Sequence, residues 1–196
     1  MKTIRPIDLT FGAIFVCMMG IGANIAVWFP FLVVPIGGAA VPLSLQTFFA
    51  ILSGLILGKT RGTLAMIAYI FIGVSGVPVF AGMTAGPVQL ISPTGGFILS
   101  FVIVTFTVGS IVEKVKKLSL PLCIFASITG FIFNYLIGVT YMYVAMKLWL
   151  DIDITYITAW AGMLPFLLKD ALLSPLAGVF VDRLTKRIPV KWQKTA

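Results

Sequence analysis

Twelve of the fourteen lysines and arginines of this chain fall into four clusters, separated by long apolar stretches. Lys2 and Arg5 come first, then Lys59 and Arg61, then Lys114, Lys116 and Lys117, and last Arg183, Lys186, Arg187, Lys191 and Lys194. Glycine and proline divide the apolar sequence into segments 7–28, 44–58, 63–76, 94–112, 119–146 and 159–181, the second and third being short and glycine-rich. A bilayer core about 30 Å thick takes about 20 apolar residues of helix to cross. Lysine and arginine concentrate in cytoplasmic connections, so clusters that recur after every second segment predict six transmembrane helices with both termini cytoplasmic.

Composition agrees. Of 196 residues, 60% are hydrophobic and 10% charged, whereas a soluble domain averages about 25% charged. One six-helix transmembrane domain spanning 1–196 is expected, with no linker or soluble insertion. Segment 7–28 is too long for the core of a secretory signal and reads as a retained first helix. The net charge of +8 would suggest nucleic acid on a soluble surface, but here the cations flank membrane segments and mark topology. With no histidine and only Cys17 and Cys123, zinc, haem and Cys/His nucleophile sites are excluded, and carboxylates are too few for most metal clusters. Both cysteines lie in apolar stretches, where the free thiol behaves as a small hydrophobe. The run from Ser53 to Thr60 nearly spells a phosphate-binding loop, but Ser53 stands where the first glycine is needed and no strand precedes it. Gly58, Lys59 and Thr60 read instead as a helix end beside a topology lysine, so no ATP hydrolysis is expected of this chain.

The connections 29–43 and 77–93 carry no charge yet are rich in turn residues: Pro30, Pro35, Gly37, Gly38 and Pro42, then Pro78, Gly82, Gly86, Pro87 and Pro93. Irregular backbone at a membrane is tolerated where protein or a water-filled cavity satisfies it. These connections are therefore expected to fold back over the outer end as walls of a pocket. Lys169 and Asp170 lie about ten residues into segment 159–181, on the order of 15 Å from its start at 1.5 Å per residue. Ionisable side chains at such depth face a cavity, a partner or a substrate, or pair with each other. Successive helix positions diverge by about 100°, so Asp170 is the stronger pocket candidate. Asn134 and Tyr135 offer an amide and a hydroxyl within an apolar segment, either as ligand contacts or as interhelical hydrogen bonds. Gln46 opens the second segment beside Thr47 and Ser44, which read as helix caps. Ala13 and Cys17 form a small-xxx-small pair, suited to packing in the bundle or to docking a second membrane protein. Trp28, Trp149 and Trp160 are placed as an aromatic belt.

Val41, Pro42, Leu43, Ser44, Leu45, Gln46 and Thr47 closely resemble the V-P-[IL]-S-L-Q-T motif of the BioY family, the biotin-specific S subunits of energy-coupling-factor vitamin transporters. Gly76, Val77, Pro78, Val79, Phe80, Ala81 and Gly82 are similar to its G-x-P-V-F-A-G loop, and Pro93, Thr94, Gly95, Gly96 and Phe97 to P-T-G-G-[YF]. Leu57, Gly58 and Gly62 resemble the junction of its second and third helices. Tyr135 and Gly138 match Y-x-x-G, and Pro165, Phe166 and Asp170 match P-F-x-x-x-D. Many members carry lysine three residues after that aspartate, where this chain has Leu173 and places Lys169 before it. The family's helix-one A-x-x-x-A reads Ala13 to Cys17.

The resemblance implies a chain that captures extracellular biotin and delivers it by toppling against a transmembrane T subunit, with two cytoplasmic ATPases supplying energy. It needs no cofactor. Asp170 would then accept from the ureido N–H groups, with Asn134, Tyr135 and Gln46 completing the ring contacts and Phe80 and Tyr141 packing the body, beside Gly82 of the loop. Backbone N–H groups near Thr94, Gly95 and Gly96 would favour the tail carboxylate, with Lys169 as the rival partner. An S subunit for another vitamin, and a stand-alone transporter using Asp170 for proton coupling, are the alternatives. An intramembrane hydrolase has no second intramembrane carboxylate to work with.

Overall fold

Gly58 decides how the middle of the chain is folded. A helix running unbroken from Gln46 to Tyr69 would separate them by about 35 Å, yet Gln46 Nε2 donates to Tyr69 OH at 2.8 Å. The chain reverses at Gly58, whose φ of 77° and ψ of −177° lie where only glycine is unstrained. The Glu113 carboxylate fills the space a side chain would take there, and accepts from Lys59 N at 2.8 Å.

A computed structural model describes residues 6–36, 39–115 and 117–187. In chain order these are α1 (Pro6–Ala23), α2 (Ile25–Trp28), a 3-10 turn (Pro30–Leu32), β1 (Val33–Ile36), β2 (Ala39–Pro42), α3 (Gln46–Val74), α4 (Val88–Ile91), α5 (Gly95–Glu113), α6 (Leu120–Leu148), α7 (Tyr156–Gly162) and α8 (Leu164–Arg187). Among the described residues five helices, α1, α3, α5, α6 and α8, are long and apolar enough to cross a membrane. The fold-back splits α3 into arms 46–57 and 59–74, which correspond to the two short segments read from the sequence. The first outer connection holds more order than its prolines and glycines suggest: β1 and β2 pair antiparallel, Val33 opposite Pro42.

α3, α5, α6 and α8 pack in a closed ring, and α1 lies against α3. Met19, Ile51, Leu55, Met66, Val104, Val108 and Val139 fill the interior. Small residues let backbones meet: a Cβ on Gly54 would stand 2.9 Å from Thr105 O, and Thr105 Oγ1 donates to Ala50 O at 3.0 Å. The outer surface is apolar, with Leu9, Phe71, Phe106, Phe125 and Leu172 all exposed. Such a surface is stable only in lipid, and the chain is a multi-pass membrane protein.

Charge separates along the bundle. Arg61 Nη2 meets Asp8 Oδ2 at 3.3 Å, Lys59 meets Glu113 at 4.0 Å, and Lys186 meets Asp182 at 2.6 Å. All three pairs lie at the end where α1 begins and α8 finishes. Lys2, Arg5, Lys116, Lys191 and Lys194 lie outside the described residues, as do Gly37 and Gly38. The opposite end carries the hairpin, residues 75–94 and α7.

Two helix boundaries differ from the sequence reading. Segment 7–28 breaks at Asn24, where α1 ends. Segment 159–181 breaks at Met163, whose N–H turns back to Trp160 O at 3.0 Å. Pro165 has no N–H to continue the ladder and sits instead in the first turn of a new helix. Asp170 is therefore six residues from the start of α8, about 9 Å rather than 15 Å.

Candidate ligand-binding site

Within the ring of apolar helices, near the hairpin end, four elements turn polar side chains toward one point. Asp170 on α8 is 3% exposed. Its Oδ2 accepts from Thr47 Oγ1, at the start of α3, and from Tyr135 OH on α6, each at 2.9 Å. Thr47 Oγ1 in turn accepts from Asn134 Nδ2 at 3.2 Å, and Ser100 Oγ on α5 donates to Asn134 Oδ1 at 2.6 Å. One chain of hydrogen bonds thus joins α8, α3, α6 and α5. In a low-dielectric interior such a network is strong when every member is satisfied. One atom departs from that rule: Asp170 Oδ1 has no aligned hydrogen bond. Its neighbour is Lys169 Nζ at 2.9 Å, an ion pair without hydrogen-bond geometry.

Lys169 and Asp170 pair with each other, one of the readings the sequence left open for them. Their Cβ directions diverge, but the four-carbon stem of lysine bends back. Nζ reaches both Asp170 and the carbonyl of Ser44, to which it donates. Removing one partner of a buried ion pair costs about 3–5 kcal/mol, so the two residues hold each other in place.

Gln46 faces a different side from Thr47, as adjacent helix positions must. Gln46 Nε2 donates to Tyr69 OH, and Tyr69 OH donates to Val79 O at 3.0 Å. Phe80 is buried edge-on to Tyr69, their centroids 5.6 Å apart, with its ring where a Gly73 side chain would stand. Gly82 takes a φ of 73°, turning residues 76–87 back so that Phe80 N donates to Thr84 O at 3.1 Å.

At Thr94, Gly95 and Gly96 the structure assigns the glycines another task. Gly95 N donates to Ser92 O at 2.8 Å and Phe97 N to Thr94 O at 3.1 Å, while Thr94 Oγ1 lies 3.1 Å from Ser92 Oγ. Gly95 faces the Leu90 carbonyl, and Gly96 faces the Tyr141 side chain so closely that neither admits a Cβ. Tyr141 OH donates to Leu90 O at 2.6 Å and its ring meets Trp149 edge-on. The two glycines bring α4 and α6 against the start of α5, and the Gly95 N–H, one of those expected to favour an anion, donates to Ser92 O.

Sequence reasoning missed Ser100, Tyr69 and Asn24, and took Thr47 for a cap. Thr47 makes no helix cap: Leu45 occupies the position before α3, and the Thr47 hydroxyl points to Asp170. A buried serine within an apolar helix, such as Ser100, was the available signal. Ala13 and Cys17 are exposed on the outer face of α1 rather than packed in the bundle, and Gly12 beside them has open space at its Cβ position.

The BioY family model matches residues 1–190. BioYB of Bacillus subtilis (strain 168) is 37% identical over 187 residues, covering 95% of this chain and 92% of its own length. The biotin transporter BioY of Thermotoga maritima is 32% identical over 173 residues, covering 88% of this chain and 92% of that one. The crystal structure of the S-component for biotin from an ECF-type ABC transporter superposes with a TM-score of 0.70 at 23% identity, covering 94% of this chain and 95% of that one. It has the same fold. Matched along nearly its whole length by the family model, the chain belongs to the BioY family.

Proposed function

We propose that this chain is the membrane-embedded biotin-binding S subunit of an energy-coupling-factor importer, a transport subunit and not an enzyme. The observation that carries the reading is Asp170, a buried carboxylate with one oxygen held by Thr47 and Tyr135 and the other without an aligned donor. The ureido ring of biotin offers two N–H donors, and a charge-assisted bond to that second oxygen, which has only the Lys169 ion pair, is strengthened where water is excluded. Tyr135 holds the carboxylate directly and Asn134 acts on it through Thr47, while Gln46 orders the neighbouring loop through Tyr69. Phe80, Gly82, Tyr141, Thr94, Gly95 and Gly96 form the walls. Lys169 serves as counter-ion to Asp170, standing in for the family lysine at the position of Leu173. A carboxylate already paired in this way is poorly suited to proton coupling, which favours capture over stand-alone transport.

The two arms of α3 bring the number of membrane passes to six, with both termini on the cytoplasmic side. The exposed stripe at Ala13 and Cys17 suits a T subunit, and two partner ATPases supply the energy. Isothermal calorimetry of the purified chain should give saturable binding of biotin and none of thiamine or riboflavin; binding of neither biotin nor its controls would overturn the reading. Replacing Ala13 and Cys17 together by leucine should leave biotin binding intact and abolish co-purification with the T subunit. Loss of both, or of neither, would remove the docking assignment.

A further inference from the structure

The segment 76–87 is tied to the bundle from α1 as well as from α3. Asn24 closes α1 and is 2% exposed. Its Nδ2 donates to Gly20 O at 3.0 Å, and its Oδ1 accepts from Met83 N at 2.6 Å. Met83 has a φ of 56° between Gly82 at 73° and Gly86 at 94°. A non-glycine residue in that region is held by its surroundings rather than by its own preference. Val79 also lies against α1, 3.6 Å from the Cβ position of Gly20. On the other side Tyr69, oriented by Gln46, donates to Val79 O, and Gly86 N donates to Gly73 O at 2.8 Å. The loop is therefore clamped between α1 and the second arm of α3, next to the helix start that carries Thr47 to Asp170. Every bond on the α3 side reaches its ends, and Asn24 alone among these side chains reaches its tip.

We propose that Asn24 is a positioning residue that latches the tip of this loop beside the binding site and so sets how long ligand is retained. The inference rests on the biotin reading above. Opening the tip breaks the Asn24 bond to Met83 N, and that bond re-forms only on closing. Its loss should speed release and leave capture nearly unchanged.

The test follows labelled biotin on the purified chain, with association and dissociation rates measured separately, thermal stability without ligand, and hydrogen exchange of residues 76–87. Asn24→Ala should raise the dissociation rate about fivefold, the effect of one net hydrogen bond, with faster exchange confined to the loop. Asn24→Asp, which keeps the acceptor for Met83 N but gives up the donor to Gly20 O, should restore part of the slow rate. An unchanged dissociation rate in Asn24→Ala would overturn the latch. So would an equal loss of association rate and stability in both variants, since that marks a merely structural role. Absence of biotin binding by the unaltered chain would instead remove the biotin reading beneath it.

Discussion

Asp170→Asn is expected to lower biotin affinity at least about a hundredfold in a protein that still folds. The substitution keeps shape but replaces one carboxylate oxygen with an N–H₂ group. That group either faces the Thr47 and Tyr135 hydroxyls, which donate to Oδ2, or takes the place of Oδ1, the oxygen left for the ligand. Lys169 meanwhile loses the counter-charge 2.9 Å away. A hydrogen bond to a charged group is worth about 1.5–3 kcal/mol, and an N–H₂ group turned against another donor costs about 1–3 kcal/mol more, which together give the stated factor. Equilibrium binding measured beside thermal unfolding separates the effects, because Lys169 can still donate to Ser44 O. Full affinity in Asp170→Asn would remove Asp170 from the site. Asn134→Ala should weaken binding less, since it frees Thr47 and Ser100 without touching the carboxylate.

Gly109→Val should be the most damaging change away from the site. The Cβ of residue 109 would fall on the backbone of the α3 fold-back, 2.5 Å from both Gly58 C and Lys59 Cα. No side chain can move aside, so α5 must separate from the turn and the bond from Lys59 N to Glu113 is lost. Overpacking against backbone belongs with the large destabilisations, about 3 kcal/mol or more, a fall of about 10 °C in apparent Tm for a chain of this size. Gly12→Ala is the control: its Cβ meets nothing within 4 Å, and alanine has the better helix propensity. A Gly109→Val protein that melts with the unaltered chain would contradict the packing of α3 on α5.

The fold was legible where one-dimensional signals suffice. The apolar runs predicted α5 and α6 to within two residues at either end, because Pro93, Lys114, Lys117 and Lys147 flank them closely. The α3 fold-back was legible too, since Gly58 stands next to Lys59 and Arg61 at the end of an apolar segment. Less legible were the breaks at Asn24 and Met163. A helix that ends against a neighbouring loop looks, in sequence, like one that continues. The hairpin was hidden because its residues are as apolar as the helices beside it.

For the site, the sequence by itself determined which residue types were out of place in lipid: Asp170, Lys169, Asn134, Tyr135 and Gln46. A polar group in an apolar segment must find a partner, and that rule needs no coordinates. Only the tertiary structure decided the partners. Thr47 and Ser100 became links in the network because helices distant in sequence bring them within 3 Å of Asp170 and Asn134. Gly95 and Gly96 became packing residues because α4 and Tyr141 press against them. Lys169 and Asp170 became one unit because side-chain length overrode helical direction. Local pattern records what each residue requires, whereas the partner that meets the requirement is chosen by contacts between helices, and those depend on the packing of the whole bundle.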